Sequence, residues 1–263
     1  MNARVAGKSI VVTGAGSGMG RAIAQAMAQE GAHVGVLDLN WGAAEAVTSQ
    51  ICGAGGSATA LCADVKERAQ VTAALAELVS ITGRLDVMFN NAGYNVPMHF
   101  LDVTEENWHA VMDVNALGTL IGIQEAAKLM IKGGRGGGKI INTSSIAGRQ
   151  AFPSFAPYSA SKFAVNALTQ AAARALAEHD ITCNAFAPGV VDTPLWTKLD
   201  EDLVAIGDAA APGQAFADFA SGILRGRAAD PADITGTALY LASSDSDYLT
   251  GQVIMIDGGM VLV

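Results

Sequence analysis

Seven short runs rich in β-branched and apolar residues punctuate the chain: SIVVT (9–13), HVGVLD (33–38), ATALCAD (58–64), LDVMFN (85–90), KIINTS (139–144), ITCNAFA (181–187) and QVIMID (252–257). Each has the length and composition of a strand. Between them lie Ala-rich stretches with apolar residues at helical spacing, over 19–30, 41–52, 67–82, 104–131 and 158–178, and a further helix is expected at 231–242. This alternation predicts an α/β fold, a seven-stranded parallel sheet with helices on both faces. Right-handed crossovers make such a sheet doubly wound and place its ligand crevice beyond the carboxyl ends of the strands.

Three local signals refine the picture. TEEN, from Thr104, starts a helix: the threonine can cap it and the acids suit its first turn. GGRGGG (133–138) has no periodicity and reads as a turn into the next strand. Residues 193–226 scatter aromatics among Gly, Pro, Asp and Ala after the sixth strand, the pattern of an inserted lid.

Composition narrows the classes of function. At 263 residues and 26.8 kDa the chain is expected to be one domain over 1–263. A net charge of -9, with no block of basic residues, argues against nucleic acid and anionic lipid as partners. The opening stretch has no leader-like layout and no stretch of 18 apolar residues occurs, so a soluble, cytoplasmic protein is expected. Cys52, Cys62 and Cys183 are odd in number and widely spread, and the histidines at 33, 99, 109 and 179 show no paired spacing, so neither a disulfide framework nor a metal site is expected.

The first candidate chemistry is VVTGAGSGMGRAIAQAMAQEGAHVGVLD, which runs strand, Gly-rich turn, helix, strand, acid. Gly14, Gly18 and Gly20 fall where the turn must be tight, where backbone must approach a pyrophosphate, and where helix must pack on sheet. Asp38 lies 18 residues beyond Gly20, the place from which a carboxylate can bond an adenosine ribose. A 2'-phosphate there would meet a like charge, and neither Ser17 nor Leu39 supplies a cation, so NAD is favoured over NADP.

With TGAGSGMG (13–20), NNAG (90–93), DVNALG (113–118), INTSSIAG (141–148), YSASK (158–162) and PGVVDTP (188–194) in this order, the chain closely resembles the classical short-chain dehydrogenase/reductase family over essentially its whole length. The resemblance implies a Rossmann-type fold and a catalytic set of Asn115, Ser145, Tyr158 and Lys162. The family's separation of 13 residues assigns Ser145 rather than its neighbour Ser144. It also implies that Ser17, Met19 and Leu39 join the glycines and Asp38 around the cofactor, and that Asp64 and Val65 meet the adenine. Asn91, Ala92 and Gly93 would line the cofactor channel, with Pro188, Gly189, Val191 and Thr193 at the nicotinamide end. Asn115 is implied to help hold a water that relays protons from Lys162, and a dimer or tetramer, tetramer favoured, is implied through the long helices and the C-terminal strand region. The helix at 158–178, rich in small residues, and the apolar end MVLV suit such an interface.

The chemistry agrees with this assignment. Oxidising a secondary alcohol requires a base for the hydroxyl proton while hydride leaves the same carbon. A free phenol, with a pKa of about 10, is a poor base at neutral pH. An ammonium one helical turn away, with the positive nicotinamide ring, is expected to favour the phenolate; Ser145 would stabilise charge on the substrate oxygen. Substrate contacts are expected from Tyr94, Asn95 and Met98, from Arg149, Gln150 and Phe152, and from Leu195, Trp196, Phe216 and Phe219 in the lid. This mixture suits a small molecule with an apolar part and an extra hydroxyl or carbonyl. TPLW and the tail DSDYLTGQVIMIDGGM look like the diol and polyol branch, which includes acetoin reductases and sorbitol-type dehydrogenases. The alternatives are a 3-oxoacyl carrier-protein reductase, disfavoured by Asp38; a sugar-nucleotide epimerase, which needs a longer C-terminal domain; and a non-catalytic NAD-sensing regulatory protein.

Overall fold

The computed structural model describes residues 3–134 and 136–262. Arg135, within the predicted Gly-rich turn, and Val263, at the apolar end, lie outside the described residues. The elements run β1 (Ser9–Thr13), α1 (Gly18–Gln29), β2 (His33–Asp38), α2 (Trp41–Gly53), β3 (Ser57–Cys62), α3 (Arg68–Thr82), β4 (Val87–Asn90), α4 (Glu105–Met112), α5 (Gly118–Lys132), β5 (Gly138–Thr143), α6 (Ala156–Ala175), β6 (Ile181–Pro188), α7 (Pro194–Ala205), α8 (Gln214–Ser221), α9 (Pro231–Ala242) and β7 (Val253–Ile256). The strands form one parallel sheet in the order β3-β2-β1-β4-β5-β6-β7. The chain reverses its direction of travel between β1 and β4, so their carboxyl ends diverge from the crossovers and leave a crevice there.

Side-chain alternation along each strand feeds two apolar layers. Ile10 and Val12 of β1 join Ile23 and Met27 of α1, Val47 of α2 and Ile234 of α9 on one face. Val11, between them in sequence, joins Leu75 and Leu78 of α3, Ile121 of α5 and Ala173 of α6 on the other. Burial on both faces is why the strands read as unbroken apolar runs. Among the described residues no helix is long and apolar enough to cross a membrane, and no group of three or more His, Cys, Asp or Glu could hold a metal ion.

Several boundaries differ from the periodicity. The helix predicted over 104–131 is broken: α4 ends at Met112, a π-helical turn spans Asp113–Leu117, and α5 begins at Gly118. Gly118 is needed for close approach, since an added Cβ would stand 2.8 Å from a Val65 methyl. β4 starts at Val87 rather than 85; just before it, the Asp86 carboxylate accepts the Ser9 N–H at 2.7 Å. α6 begins two residues before Tyr158, with Pro157 in its first turn, where proline's missing N–H costs nothing. The predicted lid contains two helices, α7 and α8.

Candidate active site

The Gly-rich turn is built as its spacing demands. Gly14 and Gly18 adopt φ of 62° and 52°, conformations open to glycine but strained for other residues. An added Cβ on Gly14 would come 2.9 Å from the Ala92 Cα, and one on Gly20 would overlap the Gly14 carbonyl oxygen. Thr13 locks this turn to the NNAG segment: its hydroxyl accepts the N–H groups of Asn91 at 2.9 Å and Ala92 at 3.0 Å and donates to the Phe89 carbonyl at 3.3 Å. The Asn91 amide returns a bond to the Thr13 carbonyl at 2.9 Å. At the end of β2, Asp38 accepts from Gly16 N–H and Asn40 N–H, both at 2.9 Å, which fixes its carboxylate beside the turn.

One cleft of about 570 Å³ runs from Asp38, Leu39, Asp64 and Val65, over the glycine turn, to Ser145, Tyr158 and Trp196. Every residue expected to meet the cofactor lines it, Met19, Gly93, Pro188, Gly189, Val191 and Thr193 included. It also contains contributors that sequence reasoning missed. Ala110 and Val114 face it from α4 and the π-helical turn, and Thr143 ends β5 at its floor. Lys66 adds a cation near the Asp38 end, 3.6 Å from the Asp64 carboxylate.

At the other end Ser145, Tyr158 and Lys162 converge. Ser145 follows β5, and its Oγ accepts the Ala147 N–H at 3.1 Å, leaving its own proton free to donate. The Lys162 Nζ lies 5.4 Å from the Tyr158 ring centroid and donates to the Thr143 carbonyl at 2.8 Å. Two of its three protons are left for other acceptors. Lys162 is 3 % exposed, and burial pushes its ammonium down to about 8.

Burial likewise raises the Tyr158 phenol, and the group that opposes this is the Ser145 hydroxyl. Tyr158 is only half-buried, so the open cleft tempers the effect. In the protein alone the phenolate is therefore not favoured: desolvation raises the phenol, and the group that lowers it is the Ser145 hydroxyl rather than the Lys162 ammonium expected from the spacing.

Asn115 sits in the π-helical turn and does not line the cleft. Its amide accepts the Tyr94 N–H at 2.8 Å, donates to the Tyr94 carbonyl at 2.9 Å, and donates to Ser161 Oγ at 3.0 Å. It thus ties the segment after NNAG to the helix that carries Tyr158 and Lys162. Its main-chain carbonyl accepts from Thr119 Oγ1 at 2.7 Å. Ser144 also lines the cleft, and its hydroxyl donates to Asn166 at 2.6 Å; Asn166 in turn holds the Gly148 carbonyl at 2.9 Å, which steadies the turn after Ser145.

The expected substrate contacts divide. Tyr94, Leu195 and Trp196 line the cleft. Asn95 is 4 % exposed, with its side-chain oxygen unpartnered, and lies outside the cleft wall. Arg149 and Gln150 are exposed, and neither they nor Met98 line the cleft. Phe152 joins an aromatic group with Phe155 and Phe219, at centroid separations of 6.3 and 5.7 Å. Phe219 passes the contact on to Trp196 at 5.4 Å, and Phe216 meets the same indole at 5.8 Å.

Comparison with known proteins places this architecture. Residues 8–204 match the family model described as short chain dehydrogenase. The chain is 39% identical over 254 residues to a diacetyl reductase ((S)-acetoin forming) of Staphylococcus epidermidis, covering 97% of this chain and 98% of the relative. It is 39% identical to an L-2,3-butanediol dehydrogenase of Corynebacterium glutamicum and 38% identical to a sorbitol dehydrogenase of Cereibacter sphaeroides, each over 256 residues with 97% and 98% coverage. A short-chain type dehydrogenase/reductase from Mycobacterium marinum superposes with a TM-score of 0.89 at 34% identity, covering 100% of this chain and 98% of its own. A Beutenbergia cavernae structure with NADP bound at low occupancy gives a TM-score of 0.86 at 36% identity, with 99% of each chain covered. The family model spans well over half of the chain and the relatives cover nearly all of it: the chain belongs to the short-chain dehydrogenase/reductase family.

Proposed function

We propose that this protein is an NAD-dependent oxidoreductase that moves hydride between NAD(H) and a small secondary alcohol or its ketone, with a diol, polyol or sugar-like molecule as substrate. The observation that carries the reading is the meeting of a free hydroxyl proton, a phenol and a buried ammonium at one end of a cleft whose other end is a phosphate cradle. The glycines fit the dinucleotide: side chains at Gly14 and Gly20 would collide with Ala92 and with the turn itself, so glycine is what lets this turn close tightly at the cleft. The named activities of the relatives, on diacetyl, butanediol and sorbitol, support this substrate class.

Bound NAD+ supplies the hydride acceptor and a positive charge near the phenol. The chain's own residues do the rest. Ser145 donates to the substrate oxygen and stabilises charge that develops there. Tyr158 takes the hydroxyl proton during oxidation and returns it to the oxygen during reduction. Lys162, anchored on Thr143, directs its remaining protons to the cofactor ribose and its charge to the phenol, while Asn115 keeps the helix that holds both in register with the NNAG segment.

Because burial raises the phenol, Tyr158 is protonated at neutral pH and ready to act as an acid. Reduction should therefore be flat between about pH 7 and 9, while kcat/KM for oxidation should climb throughout that range without levelling off, because the base form stays scarce below the ordinary phenol value of about 10. Oxidation that is independent of pH over that range would remove Tyr158 from the proton transfer.

Cofactor choice is assigned to Asp38, held by Gly16 and Asn40 where it can accept from ribose hydroxyls. Asp38→Ala removes a charged acceptor of two bonds. Each such bond is worth about 1.5 kcal/mol, so NAD+ binding should weaken on the order of a hundredfold. NADP+ binding should strengthen with the like charge gone and Lys66 nearby. Titration of both cofactors against both proteins checks this, and an unchanged NAD+ to NADP+ ratio would refute the assignment.

A homo-oligomer, with a tetramer favoured, belongs to the same reading. Trp108, Leu117 and Phe163 are 42%, 40% and 47% exposed on α4, the π-helical turn and α6, the helices through which subunits would meet.

A further inference from the structure

Asp208 sits in the turn between α7 and α8, flanked by Gly207 and Gly213, which both adopt φ of 85°. An added Cβ on either glycine would meet nothing within 4 Å, so the backbone conformation requires glycine there, not crowding. Within the lid the turn is held by Asp200, which accepts the Gly213 N–H, and by Gln214, which accepts the Ala210 N–H at 2.9 Å; the side chain that reaches from the turn to the body is Asp208. Asp208 Oδ1 lies 3.0 Å from His99 Nε2, and Oδ2 accepts from the Ser154 hydroxyl. His99 belongs to the segment that follows β4, and Ser154 to the 3-10 turn Pro153–Phe155 immediately before α6. Those two segments are joined by the Met98 N–H donating to the Ser154 carbonyl at 3.0 Å. A single lid side chain therefore bridges both walls that flank the Tyr158 end of the cleft.

The ground beneath the bridge is apolar. Phe155, Leu203, Ala209 and Ala215 are buried together, with Phe219 and the Tyr158 ring packed against them. Tilting the turn would shift α7 and α8 relative to Tyr158, because Leu203 and Ala215 come from those helices and Phe155 from the body. None of Asp208, His99 and Ser154 lines the cleft, and the proposed chemistry uses none of them. The Ser154 hydroxyl, with His99 adding to it, holds the Asp208 carboxyl below the usual carboxylate range, so it is ionised at neutral pH. The other charged group facing His99 is Asp102, 3.7 Å from its Nδ1.

We propose that Asp208 is a positioning residue: by fastening the 207–213 turn to Ser154 and His99, it sets the lid over the Tyr158 end of the cleft and with it the affinity for substrate. The inference rests on the reading of that end as the substrate site. The test uses the full chain as wild type, Asp208→Ala, Asp208→Asn and Ser154→Ala. It measures NAD+ affinity, steady-state reduction of racemic acetoin by NADH, and the rate of limited proteolysis within residues 195–225.

Asp208→Ala should raise the KM for acetoin and speed cleavage in the lid, each on the order of tenfold, with kcat and NAD+ affinity within about threefold of wild type. Asp208→Asn should restore most of both effects, since a carboxamide can accept from Ser154 and donate to the His99 ring. Ser154→Ala, which removes one of the two bonds, should show a smaller shift of the same kind and keeps the test informative if Asp208→Ala folds poorly. A KM within twofold of wild type together with unchanged lid cleavage overturns the proposal, as does a loss confined to kcat. If wild-type protein does not reduce acetoin, that failure counts against the proposed substrate class, and the cleavage rates still decide the role of Asp208.

Discussion

Tyr158→Phe should lower turnover by about 10³- to 10⁴-fold, toward the upper end of what a positioned acid or base contributes, while NAD+ binds within about twofold of wild type. The substitution removes the one group placed to exchange a proton with the substrate oxygen and leaves the ring in the apolar cluster it shares with Phe155 and Phe219. Lid docking and the Lys162 bond to Thr143 should therefore survive, and the defect should fall on kcat and kcat/KM alike, the signature of an interaction made only in the transition state. Ser145 would still polarise the substrate, so residual activity should remain. Stopped-flow measurement of a single turnover, alongside a cofactor titration, separates the two quantities. Turnover equal to wild type would show that Tyr158 is not the acid or base.

Gly20→Ala should weaken NAD+ binding by at least about a hundredfold, or roughly 2.8 kcal/mol, and should also lower the melting temperature. One methyl is enough because its nearest neighbour is the backbone carbonyl oxygen of Gly14, and the next, at 2.6 Å, is the Asn91 side-chain nitrogen, which is held by its bond to the Thr13 carbonyl. Accommodating it means moving the start of α1 away from the turn, and that breaks the approach of helix N–H groups to the cofactor's phosphates. It also disturbs the bonds by which Asn91 and Thr13 join β1 to the NNAG segment. Gly53, the last residue of α2, has open space around an added Cβ, so Gly53→Ala is a fitting control and should leave NAD+ affinity unchanged. Equal cofactor affinity in Gly20→Ala and wild type would contradict the cradle assignment.

Much of this architecture is legible in the chain because the signals are local and repeated. Buried parallel strands have to be apolar along their whole length, so all seven stand out, and the glycine turn, Asp38, Ser145, Tyr158 and Lys162 sit at fixed positions on strands and helices. What escapes the reading depends on contacts between distant segments. The break at Asp113–Leu117 leaves no mark in helical periodicity because it goes with bonds from Asn115 to Tyr94 and Ser161. Thr13 and Thr143 look like ordinary strand residues, and only the fold reveals that Thr13 joins two loops and Thr143 anchors Lys162. Composition cannot tell an outward Gln150 or an inward Asn95 from a cleft residue, and Phe152 packs the lid instead of lining the cleft. The state of Tyr158 is hidden for the same reason: spacing announces the neighbouring ammonium, but the desolvation that raises the phenol belongs to the packed site.

The most direct measurement of the central claim is the initial rate of NADH formation at 340 nm by the wild-type protein. NAD+ would be offered with vicinal diols, polyols, sugars, simple secondary alcohols and hydroxyacyl thioesters, and NADP+ would be run in parallel. The account predicts a strong rate with NAD+ on a diol, polyol or sugar-like compound, a weaker one with NADP+, and loss of both in Tyr158→Phe. Tight NAD+ binding with no reduction of either cofactor by any of these classes would contradict it.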